Sequence, residues 1–190
     1  VGCFSGHPLK NLSAIGDAGY IVTDNYKIYK KIKSLSNHGM ENRNIIKNFG
    51  YVSRMDNIQA AFLNHKLNSL NSIIKARRRN AEIYKKELNR SKVFFIDERS
   101  EEFNTYHTFV VQVEKRDKLK KFLLNKNIQT SIHYPIPIHL QPASLKFGYK
   151  KGDFKNAENQ SKRILTLPIN ENLSIKQIKY ICKMINKFYK

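Results

Sequence analysis

The chain has 190 residues, 41% of them hydrophobic, which is enough to bury at least one core and excludes a wholly disordered segment. Its longest apolar runs, such as residues 108–111, are far shorter than the roughly 20 residues that span a bilayer, so we expect no membrane helix. The net charge of +20 would suit nucleic acid, but lysines are scattered through nearly every segment, which leaves a basic nucleic-acid-binding domain as the weaker alternative.

The first third of the chain predicts a strand, a helix and an irregular connection. Residues 19–23 are a short strand candidate, and Asp24 is a candidate N-cap for a helix that carries Ile28, Ile32 and Leu35. That helix should end at residues 38–39. Residues 40–52 lack helical periodicity and contain several Asn and Gly, so we predict a functional or mobile irregular connection there.

One long helix is predicted for the middle of the chain. Residues 56–89 contain no Gly or Pro, and their apolar side chains recur at spacings of three and four. Within this stretch residues 77–79 are three consecutive arginines, which we predict to form a solvated helix face. We expect this helix, straight or bent, to join two halves of the molecule.

The last part of the chain predicts a small α+β domain. Residues 107–113 and 128–133 are strand candidates on either side of an amphipathic helix at residues 117–125. Two prolines make residues 134–139 a loop, a helix should begin near Asp153, and residues 165–168 should be extended. Ser174 and Gln177 predict a capping box for a final helix that buries Ile178, Ile181, Cys182, Ile185 and Phe188.

Cysteine and histidine usage argues against disulfide and metal sites. Cys3 and Cys182 lie near opposite ends of the chain, and we predict them to be reduced, buried thiols of a cytoplasmic protein. The six histidines show no i, i+4 pair of the kind that binds metal on a helix, so we predict no metal site. The chain opens on the apolar Val1 without a start residue, and we expect further residues upstream.

Lys10 is the residue most suggestive of chemistry. It lies in a short turn shaped by Pro8, five residues after Ser5. A lysine held in a partly dry or cationic site has a lowered pKa, and its neutral amine is then a nucleophile that forms a Schiff base. If Lys10 holds a cofactor through such a Schiff base, Ser5 could hydrogen-bond the phosphate of that cofactor. On these grounds alone, however, a surface lysine is the more common interpretation.

Several sequence blocks occur in an order that is typical of one enzyme family. The first is the lysine turn, S-G-H-P-L-K-N, followed by G-D-A-G-Y-I-V-T-D; the second is H-G and then G-Y-V-S-R-M-D-N-I-Q-A-A. The third is H-Y-P-I-P-I-H-L-Q, followed by G-Y, G-D-F, A-E and L-T-L-P. Together they resemble the DegT/DnrJ/EryC1/StrS aminotransferases, which use pyridoxal 5'-phosphate (PLP) to aminate sugars. The resemblance spans essentially all 190 residues.

The resemblance implies an α/β fold, a partial fold-type I PLP-dependent transferase of the aspartate-aminotransferase-like kind. Residues 1–75 would be the end of the large PLP-binding domain, and residues 76–190 the small α+β C-terminal domain. The implied reaction moves an amino group, with glutamate as the expected donor, to a keto-sugar on a nucleotide carrier. Family members are homodimers, so residues 40–54 would enter the active site of the neighbouring subunit.

The same resemblance assigns individual roles. Lys10 would carry PLP and then move protons, and Ser5 would bind the cofactor phosphate. Arg54 and His139, and less firmly His133, would contact the nucleotide sugar, Arg54 through its planar fork. Where the family commonly has an Asn that reaches the cofactor phosphate, this chain has Val52, whose side chain has no hydrogen-bond donor, so Ser53 or another group would have to supply that contact.

The family also needs a carboxylate at the ring nitrogen of PLP and a group that covers the ring. In the family both lie upstream of the lysine, and neither Asp17 nor Asp24 matches that position. We therefore expect the isolated chain to be inactive and to bind PLP poorly. The competing hypothesis is a non-catalytic binding or regulatory protein that keeps the fold and lacks the chemistry.

Overall fold

The computed structural model describes all 190 residues and divides the chain into two compact units, Val1–Ser72 and Ile73–Lys190. The sequence places a domain boundary three residues later, after residue 75. The assignment of the first unit to a larger cofactor-binding domain stays a prediction. None of the six α-helices combines the length and apolar character that crossing a membrane requires.

Unit 1 contains two hairpins and two helices. Strands β1 (Gly2–Ser5) and β2 (Gly19–Val22) pair antiparallel, and they are followed by helix α1 (Tyr26–Leu35). A second, short hairpin joins β3 (Met40–Asn42) to β4 (Ile45–Ile46), and helix α2 covers Asn57–Leu67. The predicted strand and first helix are confirmed, whereas β1 was not foreseen.

Three predictions for this unit are wrong in detail. Asn25, not Asp24, caps α1, because the Asn25 side chain accepts hydrogen bonds from the amides of Lys27 and Ile28. Residues 40–52 are not wholly irregular, since they include the β3–β4 hairpin. The predicted long helix is two helices: the hydroxyl of Ser69 bonds to the Lys66 carbonyl and competes with the backbone ladder where α2 ends.

Unit 1 buries little apolar surface by itself. Its buried apolar residues are Leu12, Ala14 and Leu63, against which Ala18, Met55 and Leu70 pack. Most of its large apolar side chains are exposed, and β2 has no buried residue at all. The exposed set includes Phe4, Tyr20, Ile21, Val22, Ile45, Ile46, Phe49 and Tyr51. A surface of this kind is typical of a segment that another surface covers.

Unit 2 is an α+β unit, as predicted, with its own core. Its antiparallel sheet has the order β5 (Val93–Phe94), β6 (Phe109–Val113) and β7 (Ile164–Leu167). Helix α3 (Leu70–Glu87) begins three residues before the first residue of unit 2 and continues into it. The helices α4 (Arg116–Leu124), α5 (Lys155–Arg163) and α6 (Ile175–Phe188) follow. Twenty buried side chains from the sheet and helices form one cluster, centred on residues such as Tyr84, Val111, Leu119, Leu165 and Ile178.

The final helix was the most predictable element of unit 2. The capping box of Ser174 and Gln177 is present, and four of the five predicted apolar residues are buried, with Phe188 packed at the edge. Residues 128–133, by contrast, are not a strand: only Ser131 bridges to Thr166. The predicted loop at residues 134–139 runs into a 3₁₀ helix at Ile138–Leu140, and a second covers Pro142–Phe147. Helix α5 begins two residues after the predicted start.

The two cysteines have different environments. Cys182 is buried in the unit 2 core, and burial raises the pKa of its thiol to about 12. The prediction of burial is wrong for Cys3, which lies on β1, and the β1–β2 hairpin leaves it exposed. Neither cysteine forms a disulfide.

The predicted solvated arginine face is wrong for Arg77, which is 8% exposed. Its Nη1 donates to the Ile169 carbonyl at 2.7 Å, and its Nε donates to the Glu171 carboxylate at 3.1 Å. Longer contacts of 3.4 and 3.3 Å reach the carbonyls of Tyr106 and His107. The guanidinium of Arg77 therefore links α3 to the segment before β6 and to the segment after β7.

Removing Arg77 should strongly destabilise unit 2. We expect Arg77→Ala to lower the free energy of unfolding by about 3 kcal/mol or more, because Glu171 and several buried carbonyls lose their partner. The free energy of unfolding of Arg77→Lys should lie between those of the wild type and Arg77→Ala, since lysine keeps the charge but not the planar guanidinium. Urea unfolding followed by circular dichroism measures this. Lys75→Ala, an exposed change on the same helix, is the control, and an equal loss in both alanine variants would contradict the prediction.

Candidate functional site

The turn that presents Lys10 is closed by hydrogen bonds to His7. The Lys10 amide donates to the His7 carbonyl at 2.8 Å, and the Leu9 amide donates to Nδ1 of the His7 ring at 3.1 Å. Pro8 lies at the second position of this turn, where its fixed φ is favourable. The local sequence therefore dictates the shape of the turn, and Lys10 is half-buried within it.

Both ends of the loop that contains this turn are anchored. Gly6 donates to the Ala18 carbonyl at 2.8 Å and accepts from the Ala14 amide at 2.8 Å. Gly6 is packed closely, since a Cβ there would lie 3.1 Å from that of Ala18. The Ser13 hydroxyl donates to the Pro8 carbonyl at 2.6 Å. The lysine turn is thus held by its own backbone and by the small core of unit 1.

A cavity of about 740 Å³ lies within unit 1. It brings together three of the predicted site residues, Ser5, Ser53 and Arg54, and Val52 also lines it. Helix α1 supplies a further wall through Tyr29, Ile32, Lys33 and Ser36. Lys10 is not among the lining residues, whereas His7, the first residue of its turn, is.

Val52 and Ser53 reach this cavity because the segment that carries them pairs with the end of α1. The Tyr51 amide donates to the Leu35 carbonyl at 2.7 Å, and the Ser53 amide donates to the Ser36 carbonyl at 2.9 Å. Gly39 makes the close approach possible: its φ is +75°, and a Cβ there would lie 1.6 Å from the Asn48 carbonyl oxygen. The conformation is therefore restricted to glycine.

The donor set of this cavity fits a phosphate group. Two hydroxyls, of Ser5 and Ser53, and the guanidinium of Arg54 are the kinds of donor that phosphate oxygens accept. The Ser5 oxygen accepts from the His7 amide at 3.4 Å, which leaves the Ser5 proton to donate to a ligand. Asp17 is the only carboxylate among the lining residues, and its side chain is 97% exposed. The residues present thus fit the phosphate end of PLP and supply no buried carboxylate for its ring nitrogen.

A second cavity, of about 680 Å³, lies within unit 2. Its walls are largely apolar and aromatic, with Tyr134, Phe147, Tyr149 and Phe154 among them, and both predicted histidines line it. His133 is exposed, and its Nδ1 lies 2.9 Å from the Thr166 hydroxyl, which leaves Nε2 on the other side of the ring.

His139 has a different environment, because it is only 5% exposed. Its Nε2 lies 3.1 Å from a carboxylate oxygen of Glu158, and the Phe154 ring covers it at a centroid distance of 4.8 Å. The Gly152 amide donates to the same Glu158 oxygen at 2.7 Å. The contacts of His139 and Glu158 thus hold in place the segment around Gly152 and Phe154, which forms part of the aromatic wall. Sequence reasoning missed Glu158, whose only signal was the A-E block.

The same contacts hold the pKa of Glu158 below the usual 4.5, chiefly through the hydrogen bond from the Gly152 amide and also through His139. A carboxylate with a lowered folded pKa stabilises the fold above its unfolded pKa, and that stabilisation is lost as the pH falls through the folded value.

Replacing Glu158 should therefore have a pH-dependent effect. We expect Glu158→Gln to be less stable than the wild type at neutral pH, and the difference should shrink as the pH falls through the lowered pKa of Glu158. Urea unfolding at a series of pH values measures this. Glu101→Gln, an exposed site in the same unit, is the control and should show little difference throughout. A Glu158→Gln deficit that stays constant with pH would contradict the assignment.

No three or more His, Cys, Asp or Glu side chains are grouped so that they could hold an ion.

Comparison with solved structures defines the class. The chain superimposes on an aminotransferase from Brucella abortus with a TM-score of 0.91 and 30% sequence identity, over 98% of this chain and 50% of that one. The fold is that of a partial fold-type I PLP-dependent transferase. Residues 1–186 match the DegT/DnrJ/EryC1/StrS aminotransferase family, and the chain belongs to that family.

Two similar relatives carry different kinds of name. A "pleiotropic regulatory protein" of Geobacillus stearothermophilus is 34% identical over 190 residues, covering 98% of this chain and 51% of the relative. A UDP-N-acetyl-3-dehydro-alpha-D-glucosamine 3-aminotransferase of Acidithiobacillus ferrooxidans is 32% identical over 188 residues, covering 98% of this chain and 50% of the relative. The chain spans about half the length of these relatives.

Proposed function

We propose that this chain is the lysine-bearing half of a PLP-dependent aminotransferase that acts on nucleotide-linked keto-sugars. The amino donor is glutamate, and the aminated sugar serves the synthesis of a surface polysaccharide or glycan. The observation that carries the proposal is the unit 1 cavity, in which Ser5, Ser53 and Arg54 meet beside the turn that holds Lys10. The 3-aminotransferase among the relatives supports the substrate class.

The roles of unit 1 residues follow from their chemistry. PLP supplies an electron sink at the carbon where the amino group is exchanged. The Nζ atom of Lys10 would hold the cofactor and, as a free amine, would move the proton at that carbon. The hydroxyls of Ser5 and Ser53 donate to the cofactor phosphate. Ser53 does so in place of the Asn that the family has where this chain has Val52.

Arg54, His133 and His139 are the residues to which we assign contacts with the nucleotide sugar. The planar guanidinium of Arg54 pairs with diphosphate oxygens through two parallel hydrogen bonds. His133 offers its Nε2 to a sugar hydroxyl, since Nδ1 already faces Thr166. His139 is left with its Nδ1 edge for the same purpose, because Nε2 is held by Glu158. The aromatic wall of the unit 2 cavity suits the planar and apolar faces of such a substrate.

The active protein is a cytoplasmic homodimer in which residues 40–51 enter the neighbouring site, whereas Val52, Ser53 and Arg54 line the cavity of their own chain. The exposed apolar side chains of unit 1, including Phe49 and Tyr51 in this segment, support a covering surface of that kind. The carboxylate for the ring nitrogen comes from outside this chain, because Asp17 is exposed and does not match that position. The isolated chain is accordingly inactive and binds PLP poorly. The cytoplasmic location rests on the two unpaired cysteines.

Replacing the lysine tests the mechanism. In the longer polypeptide that the relatives' length suggests, Lys10→Ala should lower amino transfer from ¹⁵N-glutamate to a nucleotide keto-sugar by roughly 10²- to 10⁴-fold, since the acid–base group is lost. Lys31→Ala, an exposed change on α1, is the matched control and should leave the rate unchanged. The transfer is measured by mass spectrometry of the sugar product. Equal rates in both variants would remove Lys10 from the mechanism.

A second candidate is a regulatory protein of the same fold. Two observations favour it: Val52 has no hydrogen-bond donor for a phosphate, and one relative is named a pleiotropic regulatory protein. Amino transfer by the wild-type protein would count against this candidate. Absence of transfer by wild-type protein that is folded and supplied with PLP would favour it.

A further inference from the structure

His7 connects the two residues to which the proposed function assigns the phosphate of the cofactor and its link to the protein. Its amide donates to the Ser5 hydroxyl oxygen at 3.4 Å, and its carbonyl accepts from the Lys10 amide at 2.8 Å. A change in the conformation of His7 therefore alters both the phosphate-binding hydroxyl and the lysine.

The His7 ring adds a third contact, which depends on its protonation. Its Nδ1 accepts from the Leu9 amide at 3.1 Å. A ring nitrogen that accepts a hydrogen bond carries no proton, so this contact requires the neutral ring with its proton on Nε2. The bond is the histidine equivalent of the side-chain-to-backbone bond by which Asn and Asp stabilise turns.

The charged groups around His7 are few. Nε2 lies 3.9 Å from an oxygen of Asp17, which favours a proton on Nε2 and hence the accepting form of Nδ1. The Asp17 side chain is almost fully exposed, so this attraction is weak, and the Leu9 amide is the stronger determinant. Lys33 and Arg54 line the same cavity, and Lys10 is in the same turn.

We propose that His7 is a positioning residue for Lys10: its neutral ring, through Nδ1, fixes the turn that presents the lysine together with Ser5. Protonation of His7 turns Nδ1 into a donor, and the bond to the Leu9 amide is lost. The turn then keeps its backbone bond and the bond from the Ser13 hydroxyl to the Pro8 carbonyl but loses the bond from the Leu9 amide to the ring, and Lys10 becomes less well oriented. The importance of Lys10 rests on the proposed function, whereas the state of His7 can be measured without it.

The first experiment examines the turn directly, by NMR of the ¹⁵N-labelled 190-residue chain. The proposal predicts a scalar coupling across the hydrogen bond between the Leu9 nitrogen and Nδ1 of His7, and ring shifts of the Nε2–H form. Both should disappear together as acid protonates the ring. Amide signals of unit 2 report that the protein remains folded. A proton on Nδ1 at neutral pH, or a Leu9 amide unaffected by protonation of His7, would overturn the proposal.

The second experiment uses two variants that separate the ring nitrogens. His7→Asn places an oxygen near the position of Nδ1 and keeps the acceptor, whereas His7→Gln extends the polar group towards Nε2 and removes it. In the longer polypeptide with limiting PLP, visible absorption reports the fraction of cofactor linked to lysine. That linkage should weaken about fivefold in His7→Gln, the factor expected for one neutral hydrogen bond, and should stay close to wild type in His7→Asn.

The outcomes separate the two hypotheses. If wild-type protein forms no PLP linkage at Lys10, the proposed function fails, and the NMR result still decides the role of His7. If the wild type forms the linkage and His7→Gln matches it, the positioning role is overturned while the proposed function stands.

Discussion

The hydrogen-bonded loop from Gly6 to Ala18 is the constraint on which the candidate site depends. Unit 1 has only a small core, so its geometry near Lys10 comes mainly from backbone bonds within this loop. Gly6 bonds to both Ala14 and Ala18, and within the loop His7 closes the lysine turn. Because these contacts are local in sequence, the turn can keep its shape although the surrounding apolar surface is exposed.

The exposure of unit 1 explains why its site is incomplete. Both faces of the β1–β2 hairpin are open, and the cavity beside it contains hydroxyls and cations but only an exposed carboxylate. Phosphate binding and a lysine link need only these donors and an amine. Electron withdrawal through the cofactor ring needs a further acidic group and a dry environment, and both require a surface that covers unit 1.

Unit 2 is organised differently. Its twenty-residue core and the buried Arg77 hold the sheet and helices together, and its cavity wall is fixed by the His139–Glu158 pair. The buried, hydrogen-bonded carboxylate of Glu158 gives this wall a dependence on pH. We infer that the aromatic cavity is shaped by the fold itself rather than by a ligand.

Local patterns in the sequence predicted local structure well. The capping box and apolar spacing of α6, the strand at β2 and the proline turn at Lys10 all depend on neighbouring residues. Contacts between distant residues could not be predicted in this way: Arg77 meets Glu171 94 positions away, and His139 meets Glu158 19 positions away. The break between α2 and α3 was missed because Ser69 acts through a side-chain bond that an apolar pattern does not reveal.

The most direct test of the central claim is to reduce the protein from its native source with borohydride and map the modified peptide. If Lys10 carries the cofactor, a phosphopyridoxyl group will be found on the peptide that contains Ser5 and Lys10, and other lysines will be unmodified. A phosphopyridoxyl group on a different lysine, or none on a protein that transfers amino groups, would contradict the claim.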